Sequence, residues 1–167
     1  MSMTTKNSQN YQFSEPEASR ELAAGAPLED YLPYQLFRIV NQLTLNLKND
    51  LRPAKMTLSR WRTLSVLTAT DGRSMGELAR YMVIEQPALS RVIDQMERDG
   101  LVTRRLANND NRVVQVHLTD AGRQMFKQIR PLELRHYEQT IKGFEPAELE
   151  DLNKLLNRLW ENLDQQA

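Results

Sequence analysis

The sequence has no cysteine, and this absence excludes several kinds of protein at once. Without thiols the chain has no disulfide scaffold, no zinc site with thiolate ligands and no thiol-based peroxide sensor. Glycine is scarce, with 6 residues in 167. No apolar run approaches the roughly 18 residues of a membrane-spanning helix, and no signal-peptide segment follows the start. We therefore expect one soluble, cytoplasmic, helix-rich protein, large enough to bury a core.

Histidine is also rare, and its placement argues against metal chemistry. His117 and His136, the two histidines, lie 19 residues apart, one in a strand-like and one in a helix-like segment, which is not the spacing of metal ligands. The sequence has no glycine-rich phosphate loop and no nucleophile elbow. It predicts no metal, no cofactor and no enzymatic activity.

The net charge is zero, but the charges are unevenly distributed. Residues 52–112 carry 11 Lys and Arg against 7 Asp and Glu, whereas residues 1–51 and 113–167 each carry two more acidic than basic side chains. A basic middle segment is typical of a surface that faces phosphates, although ordinary surface variation also gives such a difference.

The clearest pattern is a pair of helices in this basic segment. Ser74 and Glu77 have the Ser-x-x-Glu form of a capping box, which predicts a helix start. After a break at residues 83–85, Gln86-Pro87 opens a second helix, because proline suits the first helical position. Asp99-Gly100 ends it. The apolar face of the second helix consists of Leu89, Val92, Ile93 and Met96.

A predicted hairpin follows the two helices. Residues 101–106 and 113–118 are strand-like, with β-branched residues and, in the second segment, strict alternation. Residues 108–112 form a polar turn between them. The order helix, turn, helix, hairpin predicts a mainly α-helical fold with a small β-hairpin wing (α+β), the winged helix-turn-helix plan.

These segments, in this order, resemble the MarR (multiple-antibiotic-resistance regulator) family of bacterial transcription factors over roughly residues 30–163. The residues that carry the resemblance are Leu78-Ala79, Leu89-Ser90-Arg91, Met96-Glu97, Gly100-Leu101-Val102, Asp110-Asn111-Arg112, Leu118-Thr119-Asp120-Ala121-Gly122 and Thr57 through Leu64 with Trp61-Arg62. Two positions depart from the family pattern: Asn111 stands where an arginine is frequent, and Arg60 where a glutamine is frequent.

The polar face of the second helix is the predicted DNA-recognition surface. Donors and acceptors near the N-terminus of a recognition helix lie closest to base edges in the major groove. The candidates are Gln86, Ser90, Arg91 and Gln95. Asp94 lies three residues from Arg91 and four from Arg98, so it can orient either arginine. The alternative is an ordinary solvated helix face.

On the hairpin, four residues are candidates for further DNA contacts. Arg104 and Arg105 are predicted to contact phosphates, which adds affinity without sequence information. Arg112 is placed to enter a narrow minor groove, where the negative potential is concentrated, and Asp110 can fix its guanidinium or the turn. The alternative for Arg112 is a solvated arginine at a hairpin tip.

The outer helices are the candidates for dimerisation. Leucines in the last helix repeat at spacings of 3, 4, 3 and 4, which indicates packing against other helices, either within one chain or between subunits. The family resemblance implies a dimer interface. We expect a mobile N-terminal arm at residues 1–28 and a single domain at 29–163, in which residues 55–118 form the DNA-binding lobe and residues 29–52 and 119–163 the dimerisation helices.

A small-molecule pocket is implied by the resemblance, because the family has a cleft between the dimerisation helices and the DNA-binding lobe that often receives aromatic acids. The residues that would line it are Tyr34, Phe37, Arg38, Trp61 and Arg62. An aromatic wall with an arginine suits an aromatic carboxylate. Alternatively, the aromatic residues belong to the core and the arginines to the surface.

Together these patterns predict a homodimer that binds double-stranded DNA at a pseudo-palindromic operator, represses transcription and is released by a small-molecule effector, with no membrane partner. The alternative from another functional class is a winged-helix module that binds protein rather than DNA.

Overall fold

The computed structural model describes residue 25, residues 27–107 and residues 110–164. Within these ranges it contains six α-helices, three β-strands and two short 3₁₀ helices. The α-helices are α1 (Leu32–Leu51), α2 (Leu58–Ala69), α3 (Met75–Met82), α4 (Gln86–Arg98), α5 (Asp120–Thr140) and α6 (Pro146–Asp164). The strands are β1 (Arg73–Ser74), β2 (Val102–Ala107) and β3 (Asp110–Leu118), and the 3₁₀ helices are Leu28–Asp30 and Arg52–Ala54.

The mainly helical fold with a β-hairpin wing that the sequence predicts is confirmed. Most of the predicted mobile arm, residues 1–24 and 26, lies outside the described residues. Among the described helices, none combines the length and the apolar character that crossing a membrane requires.

The chain divides into two compact units, Met1–Gln42 and Leu43–Ala167. In the first unit, the described segment begins α1 with many apolar side chains exposed. The second unit contains the hydrophobic core, to which the last part of α1, the helices α2 to α5 and the sheet contribute. Its fully buried side chains include Leu51, Leu64, Leu67, Leu78, Leu89, Ile93, Met96 and Val116.

Local capping interactions begin the helices α2 and α5 of this core. The Thr57 hydroxyl accepts a hydrogen bond from the Arg60 N–H (3.3 Å) at the start of α2. At the start of α5, the Thr119 hydroxyl accepts one from the Gly122 N–H (3.0 Å). A side-chain acceptor at the N-cap satisfies a backbone donor that has no partner within the helix. These contacts therefore define the helix starts locally.

The sheet has the strand order β1-β3-β2, with antiparallel pairing throughout. From Val102 opposite Leu118 to Leu106 opposite Val114 the register between β2 and β3 is regular, and it shifts at Ala107, which pairs with Asp110. The strand β3 thus begins at Asp110, so the turn predicted at residues 108–112 is shorter than the sequence suggests. Residues 108 and 109 lie outside the described residues.

Asp71 joins the end of α2 to the base of the wing. One carboxylate oxygen accepts a hydrogen bond from the Leu118 N–H (2.9 Å), and the other lies 3.3 Å from Arg123 Nη2. The same guanidinium donates to the Leu118 carbonyl (3.1 Å). This carboxylate therefore holds the end of β3 and the start of α5 against α2.

Candidate nucleic-acid interface

The helix α3 begins with the capping box that the sequence predicts. The Ser74 hydroxyl accepts from the Glu77 N–H (3.2 Å), while the Glu77 carboxylate accepts from the Ser74 N–H (2.7 Å) and from the Ser74 hydroxyl (2.6 Å). The side-chain hydrogen bond from Ser74, followed by the backbone one, holds the pKa of Glu77 below its usual value. The carboxylate stays ionised and keeps the start of α3 in place.

A tight break separates α3 from α4. Val83 ends α3 in the left-handed conformation (φ 51°, ψ 54°), which is strained for a β-branched residue. Its N–H bonds the Ala79 and Arg80 carbonyls, which closes the helix. Gln86 and Pro87 then begin α4 as predicted. The break therefore ends α3 and lets a second short helix begin three residues after Val83.

The helix α4 has one buried and one exposed face. Its buried side chains are Leu89, Ile93 and Met96, which belong to the core, and Val92 is partly buried beside them. The apolar face that the sequence predicts is therefore confirmed. Burying it fixes which face of α4 remains open to a partner.

The four predicted base-contacting residues all lie in α4. Gln86, Arg91 and Gln95 are exposed, and Ser90 is half-buried. The Arg91 Nε–H donates to the Pro87 carbonyl (3.3 Å), which directs the side chain back along the first turn of the helix. This places polar groups near the N-terminus of α4, the part of a recognition helix that lies closest to base edges.

The sequence suggested that the Asp94 carboxylate orients Arg91 or Arg98, but in the structure this carboxylate binds a different arginine. Asp94 Oδ1 instead accepts a hydrogen bond from Arg104 Nη2 on β2 (2.6 Å). Arg98 donates to the backbone carbonyl of Asp94 (3.3 Å). The helix spacing was compatible with both arginines, but the wing brings a third arginine closer.

Arg104 also binds a second carboxylate of α4. Its Nη1 donates to Glu97 Oε2 (2.7 Å), and its backbone N–H donates to Glu97 Oε1 (2.8 Å). The backbone hydrogen bond, followed by the side-chain one, lowers the pKa of Glu97. Burial lowers the pKa of Arg104, but the bonds to Asp94 and Glu97 outweigh burial and raise it. Glu97 and Arg104 of this Asp94–Glu97–Arg104 triad are thus a pair of charged groups.

The remaining predicted wing residues are differently placed. Arg105, the neighbour of Arg104 on β2, is exposed, as is Arg112 near the start of β3. Asp110 pairs with Ala107 through the backbone, and its side chain lies outside the described part of the chain. Arg105 and Arg112 are therefore accessible to a partner, whereas Arg104 is half-buried against α4.

Sequence reasoning did not find the partner of Arg60, one of the two departures from the family pattern. Arg60 Nη2 lies 2.6 Å from Asp99 Oδ2, so an ion pair joins α2 to the residue that caps α4. The Arg60 side chain is only 11% exposed, which limits the screening of this pair by solvent. The two residues lie 39 positions apart in the sequence, so no local pattern indicates this ion pair. We attribute to Arg60 a structural role.

The five predicted ligand-binding residues are divided between the two units. In the first unit, the Arg38 guanidinium lies 5.8 Å from the centre of the Tyr34 ring, and Phe37 is exposed. In the second unit, Trp61 packs partly buried against the core. Arg62 lines a groove of about 430 Å³ together with Ser65, Val66, Tyr81, Met82 and Val83.

The second unit also has a larger groove that the sequence did not indicate, of about 870 Å³. It lies between the end of α1 and the start of α2, and its cationic lining residues are Lys48, Arg52 and Lys55. Among the described residues, no group of three or more histidines and carboxylates lies close enough together to hold a metal ion. The larger groove thus presents cationic side chains.

A recognition-type helix that is hydrogen-bonded to a β-hairpin defines a winged helix-turn-helix protein. The family model described as MarR family matches residues 54–112. A crystal structure of a MarR-family transcriptional regulator from Silicibacter pomeroyi is 32% identical, with a TM-score of 0.77 over 83% of this chain and 94% of that one. The chain belongs to the MarR family, and it is a transcriptional regulator.

Two further relatives indicate what similar proteins do. The HTH-type transcriptional repressor IacR of Pseudomonas putida is 26% identical over 136 residues, which are 81% of each protein. BpsR of Bordetella bronchiseptica, whose DNA binding is regulated by 6-hydroxynicotinic acid, is 22% identical, with a TM-score of 0.68 over 77% of this chain and 97% of its own. At that identity the likeness to BpsR concerns the fold alone.

Proposed function

We propose that this regulator is a homodimeric repressor that binds double-stranded DNA through α4 and the wing. The observation that carries the proposal is the exposed polar face of α4, with Gln86, Arg91 and Gln95 accessible and the opposite face buried. Side chains of this kind supply the donors and acceptors that distinguish base pairs in the major groove. The similarity to the repressor IacR supports repression as the outcome.

The homodimer follows from the apolar surface of α6. No residue of α6 is buried, although its leucines have the spacing of a packing helix. Leu152, Leu156 and Leu163 are 41%, 39% and 64% exposed. Such a stripe on a water-exposed helix marks an interaction surface. We assign it to a second copy of the chain, with residues 29–52 and 119–163 as the dimerisation region and residues 55–118 as the DNA-binding lobe.

A two-fold dimer presents two copies of α4, so the operator is expected to be approximately palindromic. Half-sites would lie about 10–10.5 base pairs apart, one turn of the duplex. The exposed Arg112 would enter the minor groove beside each half-site, and Arg105 would contact phosphates. Footprinting on genomic fragments recovered by selection gives the half-site spacing directly.

The proposed roles of three arginines predict three different results on DNA. Arg91→Ala should lose about 1–3 kcal/mol on the selected operator and discriminate less well at the base that it contacts. Arg105→Ala should weaken binding to all sequences equally and flatten the salt dependence by about one unit, because a phosphate contact releases a counterion. Arg112→Ala should lose more affinity where A·T pairs flank the half-site.

Titration of each variant on the operator and on a random duplex, at several salt concentrations, separates these roles. Equal behaviour of Arg91→Ala and Arg105→Ala would show that Arg91 is a second phosphate contact. If none of the three substitutions changes binding, α4 and the wing do not form the DNA surface. A winged-helix module that binds a protein partner is then the better description.

We propose further that a small aromatic acid releases the repressor from DNA. The predicted ligand residues include Arg38 beside Tyr34 and Arg62 in a groove, and arginine binds a carboxylate through two parallel hydrogen bonds. The regulation of BpsR by 6-hydroxynicotinic acid guides the choice of this ligand class.

Benzoate and 6-hydroxynicotinate should weaken operator binding, whereas benzamide, of the same shape but uncharged, should not. Arg38→Gln and Arg62→Gln identify the arginine that holds the carboxylate, because the substitution removes the effect of the acid without changing DNA affinity in its absence. Fluorescence anisotropy of a labelled operator measures both quantities. Equal effects of benzoate and benzamide would contradict recognition by an arginine.

A further inference from the structure

The Asp94–Glu97–Arg104 triad links the recognition helix α4 to the wing. Among the described residues, no other charged side chains of α4 form an ion pair with the wing. Arg104 donates three hydrogen bonds, of 2.6, 2.7 and 2.8 Å, to two carboxylates one turn apart on α4. A guanidinium has five donors in a rigid planar arrangement, so it can bind both carboxylates at once and fix the angle between them.

The triad adds to other attachments of the wing: β3 pairs with β1, and the Asp71 carboxylate accepts from the Leu118 N–H. At the base of the wing, the Thr119 hydroxyl donates to the Gly100 carbonyl (2.6 Å) and the Thr119 N–H to the Leu101 carbonyl (3.1 Å). These contacts hold the base of the hairpin and β3. Arg104, two residues into β2, adds a link from that strand to the carboxylates of α4 and so limits pivoting of the hairpin against the helix.

From this geometry we infer that Arg104 is a positioning residue: it locks the wing to α4, so that hairpin and recognition helix meet DNA as one rigid surface, and it does not itself contact phosphate. The inference rests on the proposed DNA binding. The charges of the triad support this inference. The two carboxylates together outweigh the single positive charge of Arg104, which makes this part of the surface a poor phosphate site.

The consequence for affinity is a coupling between the two DNA-contacting elements. In a rigid surface, the contacts of α4 already place the wing, so the wing contacts cost little further ordering. If the wing pivots, each binding event must order it again. Arg104 then influences affinity and specificity without a DNA contact of its own.

Substitutions that remove the charge of the two carboxylates but keep their shape give the sharpest test. The double variant Asp94→Asn/Glu97→Gln removes two negative charges beside the DNA surface, so electrostatics alone predicts tighter binding. The positioning role predicts the opposite, a loss of about tenfold on the selected operator. As a matched control, Glu85→Gln removes a negative charge at the start of α4, away from the triad, and should tighten binding slightly.

Substitutions of Arg104 complete the test. Arg104→Lys keeps the positive charge but loses the planar geometry, and it should bind the operator about tenfold more weakly, with an unchanged salt dependence. Arg104→Gln combined with the double variant should be no worse than Arg104→Gln alone, because groups that act as one unit are not additive. The cationic control, Arg105→Gln, should flatten the salt dependence by about one unit.

Hydrogen exchange in the DNA-free protein gives a readout that does not depend on DNA binding. Amides of β2 and of residues 113–118 should exchange faster in Arg104→Gln than in the wild type, and at the wild-type rate in Arg105→Gln. Unchanged exchange in Arg104→Gln would overturn the positioning role. So would a flatter salt dependence of Arg104→Gln together with tighter binding by the double variant, since both indicate a phosphate contact.

The two proposals fail in different ways. If the wild type binds neither operator nor random duplex with a salt-dependent affinity, the proposed DNA binding is wrong, and hydrogen exchange still decides whether Arg104 holds the wing. If the wild type binds DNA but Arg104 behaves like Arg105, only the positioning role is wrong.

Discussion

Gly122→Ala is expected to destabilise the fold by about 3 kcal/mol, although alanine is normally the better helix former. Gly122 lies in the first turn of α5, where a Cβ atom would overlap the Leu101 carbonyl oxygen and lie 3.2 Å from Leu118 Cδ2. The first of these neighbours is backbone, which cannot move away as the end of a side chain can. The helix start and the base of the wing would have to separate.

A second glycine provides the matched control. Gly76 lies in the first turn of α3, and a Cβ atom there would have Gln86 Nε2 as its nearest neighbour, at 3.9 Å. Gly76→Ala should therefore stabilise the protein by about 0.5 kcal/mol, because it restricts the unfolded chain without a clash. Urea unfolding at one fixed protein concentration measures both variants. Equal shifts of the two midpoints would contradict the close approach at Gly122.

Leu152→Glu combined with Leu159→Glu is expected to weaken the proposed dimer more than about a thousandfold. About two-fifths of Leu152 is open in the single chain, and Leu159 is half-buried. Covering what remains contributes about 1 kcal/mol per leucine, and a dimer has four such leucines. The introduced carboxylates add the cost of burying charge without a partner.

Sedimentation and operator binding measure the result. The wild type should remain a dimer at nanomolar concentration, and the variant should be monomeric or unfolded and should lose operator affinity, since a monomer presents only one copy of α4. Asn153→Glu with Asn157→Glu adds the same charges to α6 outside the leucine stripe and should leave the dimer intact. A wild type that is monomeric and fully folded would exclude the proposed interface.

Helix starts and helix faces were determined by the sequence itself. The caps at Thr57, Ser74 and Thr119 each involve a backbone N–H three residues later, and the structure has all of them. The buried face of α4 follows from its apolar spacing of three and four residues. Both signals depend only on neighbours within one or two helical turns, so a single sequence contains them completely.

Contacts between distant segments were decided by the tertiary structure. The strand β1 has two residues, too few for any periodicity, and it exists because β3 lies beside it. The sequence placed five arginines on α4 and the wing but did not indicate that Arg104 would bind the carboxylates of Asp94 and Glu97.

The same holds for the ion pair of Arg60 with Asp99 and for the approach of Gly122 to Leu101. Residue type and spacing show which groups are able to pair, whereas the pair that forms depends on how the hairpin folds back onto α4. That geometry is set by burial of the core around Leu89, Ile93 and Val116, and no local pattern encodes it.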